Sequence, residues 1–373
     1  MTVPLLDLGA QYRTIEGDVA RAMERVVRSQ QFVLGPEVEE LETEIAGRVG
    51  TRHAIGCASG TDALLLPLRA LQLEPGAQVV VPTFTFFATA GAVWNAGLEP
   101  VFCDIEPATF NVTADTVAAA LTERTAAIIV VHLFGQMAEM WPILELAERR
   151  GLAVIEDAAQ AIGARQRIGG DWRAAGSLGT AGAFSFFPTK NLGAFGDGGM
   201  ITTDDDGLAD RLRKLRVHGG RQMYHHEMVG TNSRLDALQA AVLRAKLPYL
   251  DGWTEARQAN AAFYDAELAG VEGVTRPTRH PANLHVYNQY TVRVDDRDGV
   301  RQRMQDQGVG SGVYYPVALH LQECFATLGG EGGTLPVAER ATREVLSLPI
   351  YPELTVEQRS QVVDALRHSV SRR

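Results

Sequence analysis

The segment FSFFPTKNLGAFGDGGM, residues 184–200, ends an apolar run on a single lysine and then places four glycines in seven residues. Of 35 Lys and Arg residues in the chain only three are lysines, Lys190, Lys214 and Lys246. An arginine stays charged wherever it sits, whereas a lysine loses its proton readily on burial and can then attack a carbonyl. A lysine kept among small and apolar residues is therefore a candidate nucleophile. On composition alone an ordinary surface lysine at a turn remains equally open.

Three further segments carry polar groups at the ends of expected strands or the starts of helices. In CASGTDALLL, residues 57–66, Ser59, Gly60 and Thr61 precede an apolar-periodic run. The backbone N–H groups of Gly60 and Thr61 would then face out of a helix N-terminus, a site suited to phosphate; an ordinary N-cap is the simpler alternative. No GxxxxGK[ST] loop occurs, which excludes a P-loop nucleotidase. In VIEDAAQ, residues 154–160, Asp157 ends a buried strand, where an acid needs a partner. It could hold a protonated ring nitrogen, with Gln160 reaching a neighbouring oxygen and Glu156 on the opposite face. A structural ion pair with a core arginine is the competing use of Asp157. In PTFTFFAT, residues 82–89, Phe86 could lie flat on a planar ring, while Phe84 and Phe87 read as core. Ser185 stands five residues before Lys190 and adds a hydroxyl. A phosphate cup, an acid for a pyridinium, an aromatic face and an amine together match one cofactor, pyridoxal phosphate.

The elements that must position these groups read as α/β. Apolar runs at 77–84, 98–105, 125–134, 151–157, 182–187 and 198–205 read as strands, and the near-continuous Val/Ile character of several implies a mostly parallel sheet covered on both faces. Helical periodicity marks 14–29, 36–48, 62–73 and 140–151, with Pro36 suited to a first turn. The texture changes near residue 250, where a long helix is followed by alternation over 285–294, as in an antiparallel strand. This places a large cofactor-binding domain at 1–249 and a smaller α+β domain at 250–373.

Net charge is −10, which gives no reason to expect nucleic-acid or membrane-surface binding, so an anionic substrate would need local arginines. Cys57, Cys103 and Cys324 share no CxxC spacing and read as reduced thiols. YHHE, 224–227, sets its histidines side by side, which diverge on any regular element, so no metal site is assigned. The start MTVPLLDLGAQYR lacks the pattern of a signal peptide and no apolar stretch reaches membrane-spanning length, so a cytoplasmic enzyme is expected.

Seven ordered blocks then resemble the DegT/StrS-type sugar aminotransferases, a branch of the fold-type I pyridoxal-phosphate enzymes: FVLGPEVEELE, CASGTDAL, VPTFTFFATA, VVHLFGQMAEM, VIEDAAQAIGA, FSFFPTKNLGAFGDGGM and GTNSRLDALQAA. The resemblance covers nearly the whole chain. It implies that Lys190 is the Schiff-base lysine, Asp157 the partner of the pyridine nitrogen and Gln160 the contact to the ring oxygen. Gly60, Thr61 and Ser185 would form the phosphate cup and Phe86 the ring stack. Asn232 would reach the phosphate of the other subunit, which implies a homodimer with shared sites. The implied substrate is a keto sugar on UDP or dTDP, with glutamate as amino donor. Arg234 and, in YYPVALHLQ (314–322), Tyr315 and His320 are nominated as substrate contacts. RLRKLRVHGGR (211–221) could meet a nucleotide diphosphate, although Arg211 and Arg213 also fit a solvated helix face. A related dehydratase branch carries histidine at the lysine position, which Lys190 argues against. A regulator that keeps the fold without catalysis is the remaining alternative.

Overall fold

The computed structural model describes residues 2–371. Seven strands form its central sheet: His53–Cys57, Gln78–Pro82, Glu99–Cys103, Thr125–Val131, Ala153–Asp157, Ala181–Ser185 and Gly199–Thr203. Across the sheet the order by first residue is 53, 199, 181, 153, 125, 78, 99. Neighbours run parallel from 181 to 99, while Gly199–Thr203 is antiparallel to both of its neighbours.

Alternate side chains explain why the sheet needs cover on both faces. Val80, Ile128, Val130 and Val154 enter one apolar cluster, and Val79, Val81, Ala127, Ile129 and Ile155 enter the other. The helices Pro36–Val49 and Met140–Arg150 close the first face. Gly60–Ala70, Ala88–Asn95 and Asp206–Leu215 close the second.

The C-terminal portion has its own cluster, built on a three-stranded antiparallel sheet of Val274–Thr275, Tyr290–Val294 and Val345–Leu348. Leu250–Glu267, Arg297–Asp306 and Val356–Val370 pack against it. Val3 sits in this same cluster and bridges to Val309, so the N-terminus crosses over to it.

The expected strand at 285–294 is one only from Tyr290 onward. Its first half instead docks on loops beyond the strand ends of the large sheet: Val286 N–H donates to the Gly135 carbonyl at 3.0 Å and the Asn191 amide donates to the Val286 carbonyl at 3.0 Å. The alternation there reflects contact with a loop. The first helix begins at Leu8, earlier than the expected residue 14, because Asp7 caps it by accepting from Ala10 N–H at 2.8 Å. His53–Cys57 was not legible as a strand; its HAIGC sequence carries no alternation.

Candidate active site

Ligands in open α/β sheets bind beyond the carboxyl ends of the parallel strands, and the predicted groups collect there. Asp157 closes the strand Ala153–Asp157, and Ser185 closes its neighbour Ala181–Ser185. Thr83 follows Gln78–Pro82, and His132 follows Thr125–Val131.

Asp157 is buried. One carboxylate oxygen accepts from Thr89 Oγ1 at 2.8 Å, the other from Ala159 N–H at 3.2 Å. Burial raises its pKa; these two hydrogen bonds and the charge of Lys190 oppose the rise without cancelling it. Lys190 lies in the turn after Ser185, with its N–H donating to the Phe187 carbonyl at 2.9 Å. Burial lowers the pKa of its amine, and the charge of Asp157 opposes that shift. The two groups act on each other's charge, yet no ion pair joins them.

The other lysines are committed elsewhere. Lys214 pairs with Glu227 at 2.6 Å and Asp210 at 3.1 Å. Lys246 is buried, donates to the Gly193 carbonyl at 2.6 Å and lies 4.7 Å from the centre of the Phe195 ring. Burial pushes its pKa down to about 8. It holds the glycine-rich loop that follows Lys190 and faces no acid.

Gly60 and Ser185, two of the residues expected to form a phosphate cup, lie against each other. Ser59 caps the helix Gly60–Ala70 by accepting from Asp62 N–H at 3.1 Å. The N–H groups of Gly60 and Thr61 find no acceptor among the described residues. A Cβ on Gly60 would lie 2.5 Å from Ser185 Cβ, so only glycine lets this helix start meet the Ser185 hydroxyl. Ser233 ties the NSRLD segment to the same helix, donating to Asp62 Oδ2 at 2.7 Å and accepting from Ala58 N–H at 3.3 Å. The neighbouring Asn232 is exposed, and Arg234 is half-buried.

Phe86 is 58% exposed at the mouth of the site, its ring 6.3 Å from that of Tyr315. Phe84 is core, as expected, but Phe87 is 47% exposed and stacks on Phe325 at 5.7 Å. Gln160 is buried: it accepts from Phe134 N–H at 2.6 Å and donates to the Tyr315 hydroxyl at 3.1 Å. Tyr315 thus reaches the site, and burial raises its pKa. His320, nominated beside it, does not face the site openly. It is 3% exposed, with Nδ1 2.7 Å from Thr83 Oγ1 and Nε2 3.3 Å from Glu339. One ring nitrogen holds segment 314–322 to a strand end and the other to the helix Pro336–Glu344.

The basic stretch 211–221 is also internally engaged. Arg211 donates to the Ala70 carbonyl, Arg216 pairs with Glu42 and Arg221 with Asp210.

Sequence reasoning missed the pair behind Asp157. Glu156 and His132 have fully buried side chains 2.8 Å apart. Glu156 also accepts from the N–H groups of Gly176, Leu178 and Gly179 at 2.6–2.9 Å. The signal available was a histidine directly after the apolar run TAAIIVV. Thr89 was missed as well, though a threonine recurs at 83, 85 and 89 in a Phe-rich segment.

Fold and site together point to a fold-type I pyridoxal-phosphate-dependent aminotransferase: an amine, a buried acid and an open helix N-terminus at the strand ends are groups that this cofactor uses. The chain belongs to the DegT/DnrJ/EryC1/StrS aminotransferase family, whose model matches residues 13–367. It is 50% identical, over 98% of each chain, to a Geobacillus stearothermophilus protein named pleiotropic regulatory protein. It is 44% identical, over 99% of this chain and 98% of the relative, to the UDP-N-acetyl-3-dehydro-alpha-D-glucosamine 3-aminotransferase of Acidithiobacillus ferrooxidans. The crystal structure of S. venezuelae DesV in complex with a ketimine intermediate superposes with a TM-score of 0.96 at 45% identity, covering 100% of this chain and 99% of that one.

Proposed function

We propose that the protein aminates a keto sugar carried on UDP or dTDP, takes the amino group from glutamate, and works as a cytoplasmic homodimer with shared sites. The observation that carries the reading is the facing of Lys190 and Asp157 across a site that also holds the start of the helix Gly60–Ala70. Bound pyridoxal phosphate supplies the electron sink for removal of the donor's α-proton. Lys190 holds the cofactor at rest. Freed by the donor, its amine takes the proton from the α-carbon and returns one on the cofactor side, and the lowered pKa favours the neutral form this needs. Asp157 keeps the ring nitrogen protonated. Gly60, Thr61 and Ser185 donate to the phosphate, Phe86 covers the ring, and Gln160 orients its oxygen while holding Tyr315.

Asn232 supports the dimer: it is exposed in the single chain, next to Ser233, which is tied to the cup helix. Arg234 and Tyr315 are the proposed nucleotide-sugar contacts. The division at residue 250 follows the separate C-terminal cluster, which Val3 also joins.

Two experiments test this reading. UDP- and dTDP-linked keto sugars are mixed with the pyridoxamine form, and return of the pyridoxal absorbance is followed; a free keto acid that works as well removes the substrate class. Lys190→Ala chains mixed with Asn232→Ala chains should regain up to about a quarter of wild-type activity, because statistical exchange makes one intact site per heterodimer. No recovery despite exchange places Asn232 in its own chain's site. A relative named as a regulator makes the first experiment the deciding one, since a binding module would turn over no keto sugar.

A further inference from the structure

The segment PTFTFFATA holds two buried hydroxyls that the aromatic reading of it overlooks. Thr89 is fully enclosed and Thr85 is 3% exposed. Thr89 Oγ1 donates to Asp157 Oδ2 at 2.8 Å, and Thr85 Oγ1 lies 3.1 Å from Thr89 Oγ1. A carboxylate only accepts, so the Thr89 proton is committed to Asp157 and Thr85 must donate to Thr89. The row is therefore ordered Thr85 to Thr89 to Asp157, and each donation strengthens the next.

We propose that Thr85 and Thr89 are positioning residues, a two-hydroxyl relay that fixes the Asp157 carboxylate and keeps it an unprotonated acceptor for the cofactor's ring nitrogen. This rests on the reading of Asp157 given above. A proton shared between a carboxylate and a ring nitrogen rests on the more basic of the two. Burial makes Asp157 more basic, which would draw that proton off the ring and weaken the electron sink. The other ionisable groups facing Asp157 are Lys190, His132 and Tyr315. Lys190 changes its charge and its covalent state within the reaction. His132 accepts from Ala138 N–H at Nδ1 (3.2 Å) and turns Nε2 to Glu156. Tyr315 hydrogen-bonds to Gln160. Apart from the Ala159 N–H, the relay is what remains constant on the carboxylate throughout turnover.

The test uses the holoenzyme reconstituted with pyridoxal phosphate. Infrared difference spectra against Asp157→Asn report a protonated carboxylic acid directly, and single-turnover absorbance with glutamate reports the first half-reaction. The acid band should be absent in wild type and Thr89→Ser, and present in Thr89→Val. Thr89→Val should slow the half-reaction about tenfold, the scale of one hydrogen bond to a charged group, and Thr85→Val about threefold. Thr85→Val should add nothing in the Thr89→Val background, because its effect passes through Thr89. Equal Thr85→Val effects in both backgrounds overturn the relay. So does a Thr89→Val enzyme with no acid band and a wild-type rate, provided Asp157→Asn is slow. A wild-type rate in Asp157→Asn itself overturns the role of Asp157 instead. If Thr89→Val does not fold, Thr85→Val alone carries the test: an acid band with a slowed rate supports the relay, and neither overturns it.

Discussion

Glu156 and Asp157 are adjacent, both buried, and project to opposite faces of one strand. Glu156 collects three backbone N–H groups and the His132 ring. Burial pushes its pKa up, but these donors outweigh burial and hold the carboxyl below its usual range. Asp157 collects two donors, and burial prevails. The count of donors separates a carboxylate saturated as structure from one left with capacity for a ligand. Because His132 Nδ1 accepts from Ala138 N–H, its Nε2 carries the proton given to Glu156. His132 N–H also donates to the Asp157 carbonyl at 3.0 Å, so the saturated side steadies the strand end that presents the other acid.

Lys190→Ala should abolish that asymmetry's use, with turnover falling about 10⁴-fold, the scale of a lost acid–base group. Borohydride reduction of the holoenzyme and mass mapping should find the pyridoxyl group on Lys190 alone. An adduct on Lys246, which is buried, would displace the assignment. Asp157→Asn should reduce turnover about 10²- to 10³-fold with the fold retained, as circular dichroism would check.

Glu156→Gln should do the reverse. In either amide orientation an NH₂ group meets backbone or imidazole donors, so stability should fall by about 2–3 kcal/mol in urea titrations. Turnover per folded molecule should stay within about threefold of wild type. A Glu156→Gln enzyme that is stable but slow would collapse the distinction between the two acids.

The pH dependence of the cofactor-free protein sharpens the contrast with a smaller effect. Glu156 has a lowered folded pKa, so its stabilisation is present above its unfolded value near ~4.3 and is lost as pH falls through the folded value. Asp157 has a raised folded pKa, so stability is greatest below ~3.9 and is lost as pH rises through the folded value. At pH 7 the cofactor-free Asp157→Asn protein should therefore unfold later than wild type, and the gain should vanish in acid. Arg234→Ala should have the smallest effect of all on the glutamate half-reaction while weakening use of the nucleotide sugar. Equal slowing of both half-reactions would make Arg234 structural.

Lys190 and Asp157 were legible because their signals are local: a rare residue type at a strand end, and an acid closing an apolar run. The sheet was legible for a similar reason, since Val/Ile runs at strand length mark buried strands whatever their neighbours. Periodicity says which face of an element is apolar. It does not say which element lies beside it. Thr89 meets Asp157 across 68 positions, His132 meets Glu156 across 24, and His320 meets Thr83 across 237. Those meetings depend on the strand order and on how segments 285–289 and 314–322 fold back over the sheet. His320 accordingly turned from an expected sugar contact into a buried brace, and a Phe-rich motif acquired a hydroxyl row. The sequence alone nominated an amine, an acid and the sheet whose strand ends present them. Only the tertiary structure decided how many donors each buried acid receives, because desolvation and hydrogen bonding are properties of the packed surroundings.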